Sequence, residues 1–446
     1  MPESAGGEPL EAAALRHVLE AERAAGGKPE GALEVRRLGV VGAGTMGAGI
    51  ALSGAQSDLE VILVDANEEA LHRGISRIDA VLESGVKKGR LTPQAASDAR
   101  ARVQSADGLE ALREADLVIE AVFEDARVKQ EVFARLGSIT RLSTLLATNT
   151  STLDVEAIAR ASGRPSDVVG MHFFSPAHVM RLVEIVRTPA SSSVAVATAL
   201  ATARRLGKIG VVVGNDFGFV GNRMLYTYGR ERELMLLEGA APERIDRALE
   251  AFGMAMGPNA VSDLAGIDIG VAGRRQWRER PDDPRWFRVS ELLVERGRLG
   301  RKSGRGFYCY LGAERRREAD PEVDELIRLE ARRLGVAPRE VSDREIVERC
   351  VLALINEGAR VLEEGIAEAG SDIDVIWCNG YGFPRARGGP MYYADTLGLE
   401  WVLARIDHYA HEQDATYWRV APLLAQLASE GGRLAEWRGA VAQLSS

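Results

Sequence analysis

Cysteine is scarce in this chain of 446 residues: Cys309, Cys350 and Cys378 are far apart and odd in number. No disulfide framework, zinc spacing or redox pair can be built from them, so they are expected as reduced, packed thiols in a cytoplasmic protein. No apolar run approaches the ~20 residues of a membrane span, which excludes a membrane-spanning helix. Met1-Pro-Glu-Ser-Ala-Gly-Gly lacks the basic and apolar regions of a secretory signal, and Gln443-Leu-Ser-Ser446 is not a peroxisomal tripeptide. Positive charge is in deficit. The net charge is −9, with no basic stripe interleaved with aromatics, which argues against nucleic acid as a partner. What remains is an ordinary globular composition, 46% apolar and 27% charged. The length suits about two to four domains.

One stretch then stands out: Arg37-Leu-Gly-Val-Val-Gly-Ala-Gly-Thr-Met-Gly-Ala-Gly-Ile-Ala51. Leu38 to Val41 reads as a buried parallel strand running into Gly42-x-Gly44-x-x-Gly47. A helix-like segment follows, and a second strand, Glu60-Val-Ile-Leu-Val64, ends on Asp65. In a dinucleotide site Gly42 permits the tight turn, Gly44 lets the backbone approach a pyrophosphate, and Gly47 lets helix and strand pack closely. Asp65 can bind both ribose hydroxyls and would repel a 2′-phosphate, which favours NAD over NADP. The alternative is a tight strand-to-helix turn with no ligand.

Strand candidates at 36–41, 60–65, 116–122, 144–149, 168–174, 181–186 and 209–213 alternate with helical periods at 67–89, 93–103, 127–140, 152–162 and 190–206. Such alternation predicts an α/β Rossmann-type domain over 35–216 with a mostly parallel, doubly wound sheet. The short connection holding Pro176 predicts that 168–174 and 181–186 pair antiparallel, late in the sheet. Before this domain, residues 1–34 form an arm with one amphipathic helix, Glu8 to Ala25, ended by Gly26-Gly27-Lys28-Pro29. After Gly221 the pattern is helical only. Gly304-x-Gly306-Phe-Tyr-x-Tyr310 closes a unit at 217–310, and the Arg- and Glu-rich 311–339 reads as a solvated helix or linker. Leu236-Leu-Glu-Gly239, Ile245-Asp246, Phe252-Gly253 and Gly257-Pro258 find echoes in Leu362-Glu-Glu-Gly365, Ile373-Asp374, Gly380-Tyr-Gly-Phe383 and Gly389-Pro390. This suggests a second copy of one helical module over 340–446, with coincidence as the alternative.

Hydride transfer from an alcohol needs a base for the hydroxyl proton, and a histidine backed by a carboxylate suits that task. His172 and Glu184 occupy adjoining apolar strands, where pairing removes the cost of a buried charge. A purely structural pair is the alternative. His17 and His72 on helices, His408 and His411 in a polar helix, and His178 in a turn read as surface residues. Ala147-Thr-Asn-Thr-Ser151 ends an apolar strand, where α/β sheets place ligands. Ser151 could touch a substrate oxygen or cap the following helix. Asn222 could reach a cleft or cap its own helix. Glu124, Asp125 and Lys129 follow another strand at its carboxyl end, with surface charge the alternative for Asp125.

Six motifs in order, Gly42-Ala-Gly-Thr-Met-Gly47, Ile119-Glu-Ala-Val-Phe-Glu124, Thr148-Asn-Thr-Ser151, His172-Phe-Phe-Ser-Pro176, Leu182-Val-Glu184 and Gly218-Phe-Val-Gly-Asn-Arg223, resemble the (S)-3-hydroxyacyl-CoA dehydrogenases. The resemblance runs from about Arg36 onward and is strongest to the dehydrogenase half of the peroxisomal-type bifunctional enzymes. Ser175 matches that branch, where many members of the family have Asn. The resemblance implies His172 as base, Glu184 as its partner, and Ser151 and Asn222 on the substrate oxygen. It places Glu124 and Lys129 on the nicotinamide side of NAD and Asp65 on the ribose. Thr45, Met46 and Asn149 join the glycines as cofactor-binding residues, and Lys87 and Lys88 fall where CoA phosphates bind. No metal is implied. The substrate would be an acyl-CoA of fatty-acid β-oxidation. The hydratase domain that precedes the nucleotide fold in that branch has no counterpart here, and residues 1–34 resemble only its tail. A separate enoyl-CoA hydratase partner, reached through the arm at 8–25, and an arm that is a remnant are both open. The second helical copy implies a monomer with an internal pseudo-dimer and one active site. Two rivals remain: a non-catalytic NAD- or CoA-binding relative, and a dehydrogenase for a different hydroxy acid.

Overall fold

Short aliphatic runs covered on both faces assemble the sheet. The computed structural model describes residues 9–27, 29–277, 280–312, 314–413 and 415–439, so the chain ends behind the targeting expectations and Glu8 of the arm lie outside the described residues. After α1 (Leu10–Ala24) come β1 (Arg37–Val41), α2 (Thr45–Gln56), β2 (Glu60–Asp65), α3 (Glu68–Lys87), α4 (Pro93–Ala101) and β3 (Val103–Asp107). Then follow β4 (Leu117–Glu120), α5 (Ala126–Ile139), β5 (Leu145–Thr148), α6 (Val155–Ala161), β6 (Val168–Phe173), β7 (Leu182–Arg187), α7 (Ser193–Arg205) and β8 (Ile209–Gly214). The sheet order is β3-β2-β1-β4-β5-β6-β7-β8. Only β6–β7 is antiparallel. Leu38, Val40, Leu117 and Ile119 enter one core, while Val41 and Val118 enter the other, as period-two strands require. Strand order reverses between β1 and β4, the switch point where such sheets bind ligands.

Residues 103–107 correct the sequence reading. They form an edge strand of which only Val103 falls in an expected element, as the end of the helical period at 93–103, and Gln104, Ser105 and Asp107 are exposed, so no apolar run marks it. The chain divides into two units. The sheet unit is Glu20–Val220 with Ile366–Glu368; the helical unit takes the described residues of Met1–Leu19, Gly221–Gly365 and Ala369–Ser446. The division falls inside α1. Within the sheet unit Ala367 bridges Val213 antiparallel, and Glu368 pairs with Arg187 at 2.9 Å.

The helical unit holds α8 (Gly221–Leu237), α9 (Pro242–Phe252), α10 (Pro258–Ala265), α11 (Ile267–Arg275) and α12 (Arg288–Glu295). The hairpin β9 (Tyr308–Leu311) and β10 (Arg316–Ala319) follows, then α13 (Pro321–Arg333) and α14 (Asp343–Glu363). It ends with α15 (Gly370–Gly380), α16 (Pro390–Leu397), α17 (Leu399–Glu412) and α18 (Pro422–Glu430). The hairpin corrects the helices-only expectation, and within 311–339 α13 meets the helix alternative while β10 adds a strand. Arg316 and Arg317 hid β10, because a two-stranded surface ribbon needs no apolar alternation.

The repeat is physical. Asp246 on α9 accepts from the backbone N–H of Asn259 and Ala260 at 2.9 and 3.0 Å; Asp374 on α15 accepts from Met391 and Tyr392 at 2.7 and 3.1 Å. A Cβ on Gly257 would lie 2.2 Å from Asp246, and one on Gly389 would lie 2.4 Å from Asp374. A second pair was not foreseen. Asp263 accepts from Phe307 and Tyr308 at 2.8 and 3.0 Å, and Asp395 accepts from Leu434 and Ala435 at the same distances. Burial pushes Asp263 and Asp374 up to about 6. The modules meet along α8 and α14, where buried Arg349 binds Glu231 at 2.9 Å and Glu238 at 2.7 Å.

His17 is a further correction. It is half-buried in the helical unit, 2.8 Å from Asp374 and stacked on Tyr392. Ala13, Ala14 and Val18 on the same helix are buried, so this face of the arm is already covered by the chain's own fold.

Candidate active site

The site begins where β1 ends. Gly42 has φ of 100°, and a Cβ there would sit 2.6 Å from the Ala121 carbonyl oxygen. A Cβ on Gly47 would fall 1.8 Å from the Gly42 oxygen. Packing alone therefore demands both glycines. Gly44 differs: nothing lies within 4 Å of its missing Cβ, and it is exposed together with Thr45, with Met46 half-buried beside them. A glycine that packing does not require, at the positive end of α2, fits a backbone kept open for a phosphate. Asp65 ends β2 and accepts from Ala43 N–H at 2.7 Å and Asn67 N–H at 3.0 Å. It holds the glycine loop while standing half-buried at the sheet's carboxyl edge. These features fit an NAD molecule, with Gly44, Thr45 and Met46 at the pyrophosphate and Asp65 at the ribose.

His172 and Glu184 are cross-strand register partners on β6 and β7. Nδ1 of His172 lies 2.8 Å from Oε2 of Glu184. Glu184 is fully enclosed and His172 is 5% exposed, with Phe174 and Phe219 against the ring at 4.7 and 5.6 Å between centroids. The carboxylate selects the tautomer with the proton on Nδ1, which leaves the acceptor lone pair on Nε2. Loop 174–181 is anchored by Lys208, whose Nζ donates to the carbonyls of Ala177 and Met180 at 2.6 and 2.8 Å. Burial lowers that lysine to about 8.

Next to β6, Asn149 Oδ1 accepts from Phe173 N–H at 2.8 Å. Glu124 Oε1 accepts from Thr150 Oγ1 at 2.5 Å and from Ser151 N–H at 2.8 Å. Asp154, not Ser151, caps α6, so helix capping no longer competes for Ser151. Asp125 caps α5. Lys129 is buried, with Nζ 2.7 Å from Glu120 and 3.4 Å from Glu124. Glu120 is fully buried and was missed as a site residue. Its signal was present: an acid ending the apolar run Leu117–Ile119 must have a partner.

Lys87 and Lys88 are exposed at the end of α3. Asn222 belongs to the helical unit, on the first turn of α8, where Tyr381 donates to its Oδ1 at 2.9 Å.

Comparisons with known proteins agree with this geometry. The family description "3-hydroxyacyl-CoA dehydrogenase, NAD binding domain" matches residues 37–217. "3-hydroxyacyl-CoA dehydrogenase, C-terminal domain" matches twice, at 218–310 and 346–439, in step with the two helical modules. The peroxisomal bifunctional enzyme of Danio rerio is 42% identical over 434 residues, covering 93% of this chain and 59% of that protein. The fatty acid oxidation complex subunit alpha of Psychrobacter arcticus is 37% identical, covering 85% of this chain and 53% of that one. The chain thus spans between half and two thirds of these relatives. Among solved structures, the 3-hydroxybutyryl-CoA dehydrogenase of Escherichia coli K12 superposes with a TM-score of 0.75 at 29% identity, covering 89% of this chain and 99% of that one. The dehydrogenase part of multifunctional enzyme 1 from C. elegans gives 0.65 at 32%, covering 89% of this chain and 90% of that one.

Proposed function

Because the chain belongs to the 3-hydroxyacyl-CoA dehydrogenase family, we propose that it oxidises an (S)-3-hydroxyacyl-CoA to the 3-oxoacyl-CoA with His172 as general base. The observation that carries this reading is the enclosed His172–Glu184 pair in the same unit as the open glycine loop. Nε2 of His172 takes the C3 hydroxyl proton as the C3–H leaves as hydride and the C3–O bond becomes a carbonyl. NAD, when bound, supplies the hydride acceptor. Glu184 offsets the charge of the imidazolium that forms. Ser151 and Asn222 are read as donors to the substrate oxygen, and Lys87 and Lys88 as contacts to the CoA phosphates. Acyl chains of β-oxidation are the substrate class, and an enoyl-CoA hydratase is the partner class, since hydration makes the 3-hydroxy group.

The reverse reaction tests this. Protein mixed with acetoacetyl-CoA and NADH should consume NADH, read by its absorbance, and no consumption across a ladder of 3-oxoacyl chain lengths would overturn the assignment. We further read the chain as a monomer with an internal pseudo-dimer, supported by the buried α8–α14 contact between its own two modules. A light-scattering mass near twice 48.2 kDa would refute it.

A further inference from the structure

Glu120 is the hub of a charged cluster behind the reacting site. Its Oε1 accepts from Val122 N–H and Lys129 Nζ, both at 2.7 Å, and its Oε2 accepts from Thr148 Oγ1 at 2.7 Å. Its carbonyl oxygen accepts from Asn149 N–H at 2.8 Å. Val122 and Asn149 stand in the two loops that leave β4 and β5, Thr148 ends β5, and Lys129 is on the first turn of α5. From Lys129 the chain of contacts continues at 3.4 Å to Glu124, which holds Thr150 and Ser151. Side-chain exposure is 0% for Glu120, 1% for Lys129 and 33% for Glu124. Lys129 is therefore an internal post, and Glu124 is the member that meets solvent.

Two carboxylates share one ammonium, so the trio carries one surplus negative charge. A structural tie between two strands needs only a neutral pair. A surplus charge that is only partly exposed attracts a cation more strongly than it would in bulk water, because the dielectric around its buried part is low. The oxidised nicotinamide ring is cationic and the reduced ring is neutral. We propose that Glu120 is a positioning residue that acts through Lys129 on Glu124, and that the trio's surplus charge makes the site favour the oxidised nicotinamide. This rests on the reading that Glu124 borders the nicotinamide.

The test uses the full chain and three ligands: NAD⁺, NADH and ADP-ribose, which lacks the nicotinamide. Glu120→Gln removes the surplus charge while keeping the side chain's size. It should weaken NAD⁺ about tenfold, leave NADH within about threefold, and leave ADP-ribose within about twofold. Equal weakening of all three would show a tie between strands only, and no change would show that the charge is not felt; either result overturns the proposal. Wild-type protein that binds neither ADP-ribose nor NAD⁺ would instead defeat the dinucleotide reading. Should Glu120→Gln fail to fold by circular dichroism, Glu124→Gln neutralises the trio from its exposed end. The same selective loss of NAD⁺ is expected there, and its absence overturns the proposal.

Discussion

The two helical modules share a skeleton and differ in what hangs on it. Asp246 and Asp374 each fasten the start of the next helix, while Asp263 and Asp395 each fasten the closing segment of their module. Gly266 and Gly398 end α10 and α16 at positive φ, 101° and 85°. Yet only the first module places an Asn–Arg pair on the opening turn of its first helix. In the second, α14 starts Asp343-Arg344-Glu345 under a Ser342 cap. The third partner differs too: Tyr308 donates to Asp246 from within its own module, whereas His17 reaches Asp374 from the arm. Buried aspartates that organise backbone are costly to lose, so duplication preserves them. Asn222 and Arg223 are held instead by the second module, through Tyr381 at 2.9 Å and Glu357 at 2.7 Å.

Both modules thus carry the scaffold, and only the first carries the added polar pair. The sharpest break would come from His172→Gln, which should lower turnover about 10²–10⁴-fold while NADH affinity stays near wild type. Near-normal stopped-flow turnover would make the His172–Glu184 pair structural. Asp246→Ala and Asp374→Ala come next. Each strands two backbone N–H donors, both buried at Asp246 and one part-buried at Asp374, and should cost about 2–4 kcal/mol of local stability. Hydrogen exchange at the amides opening α10 and α16 reads this, and a loss in only one module would break the equivalence. Acidity gives a smaller effect. Burial raises all four aspartates, so their stabilising contribution is complete below about pH 4 and is lost as pH rises through their folded values, about 6 for Asp263 and Asp374. Asp263→Asn should flatten that decline, with a difference from wild type of about 2 kcal/mol between pH 4 and 7 by denaturant titration. An unchanged slope would place its pKa elsewhere. The finest comparison sets Tyr308→Phe against His17→Ala. Tyr308→Phe removes a single hydrogen bond to its aspartate and should cost about 1 kcal/mol, whereas His17→Ala also loses the stack on Tyr392 and should shift melting further.

Much of this was legible because it obeys a period or a spacing. Seven of the eight strands lie within about two residues of their apolar runs, β7 and β8 each ending one residue beyond, and the β6–β7 pair is readable as antiparallel from the short connection at Pro176. His172 and Glu184 could be set opposite each other because both sit in runs where a polar group needs a partner. The glycine loop announced itself by a fixed pattern. The hidden parts lack any period. β3 is a polar edge, and Asp263 and Asp395 look like surface aspartates on amphipathic helices. Arg349 and Glu231 look like a solvated face, although side-chain exposure is 0% for both. Their burial comes from the packing of α8 on α14, which no local window contains. Glu120 was visible as a letter of a motif and passed over as a partner.

The cross-strand pairing of His172 with Glu184 also limits how this chain can tolerate insertions. Side chains alternate along β7, so a single residue gained or lost between Leu182 and Glu184 would present Val183 or Ile185 to the imidazole and turn the carboxylate to the other face. The connection at 174–181 has no such parity. Length changes there shift no residue of β7 as long as Lys208 keeps a carbonyl to hold. Natural variation should therefore collect in that loop in any number of residues, and appear inside the strand only in twos.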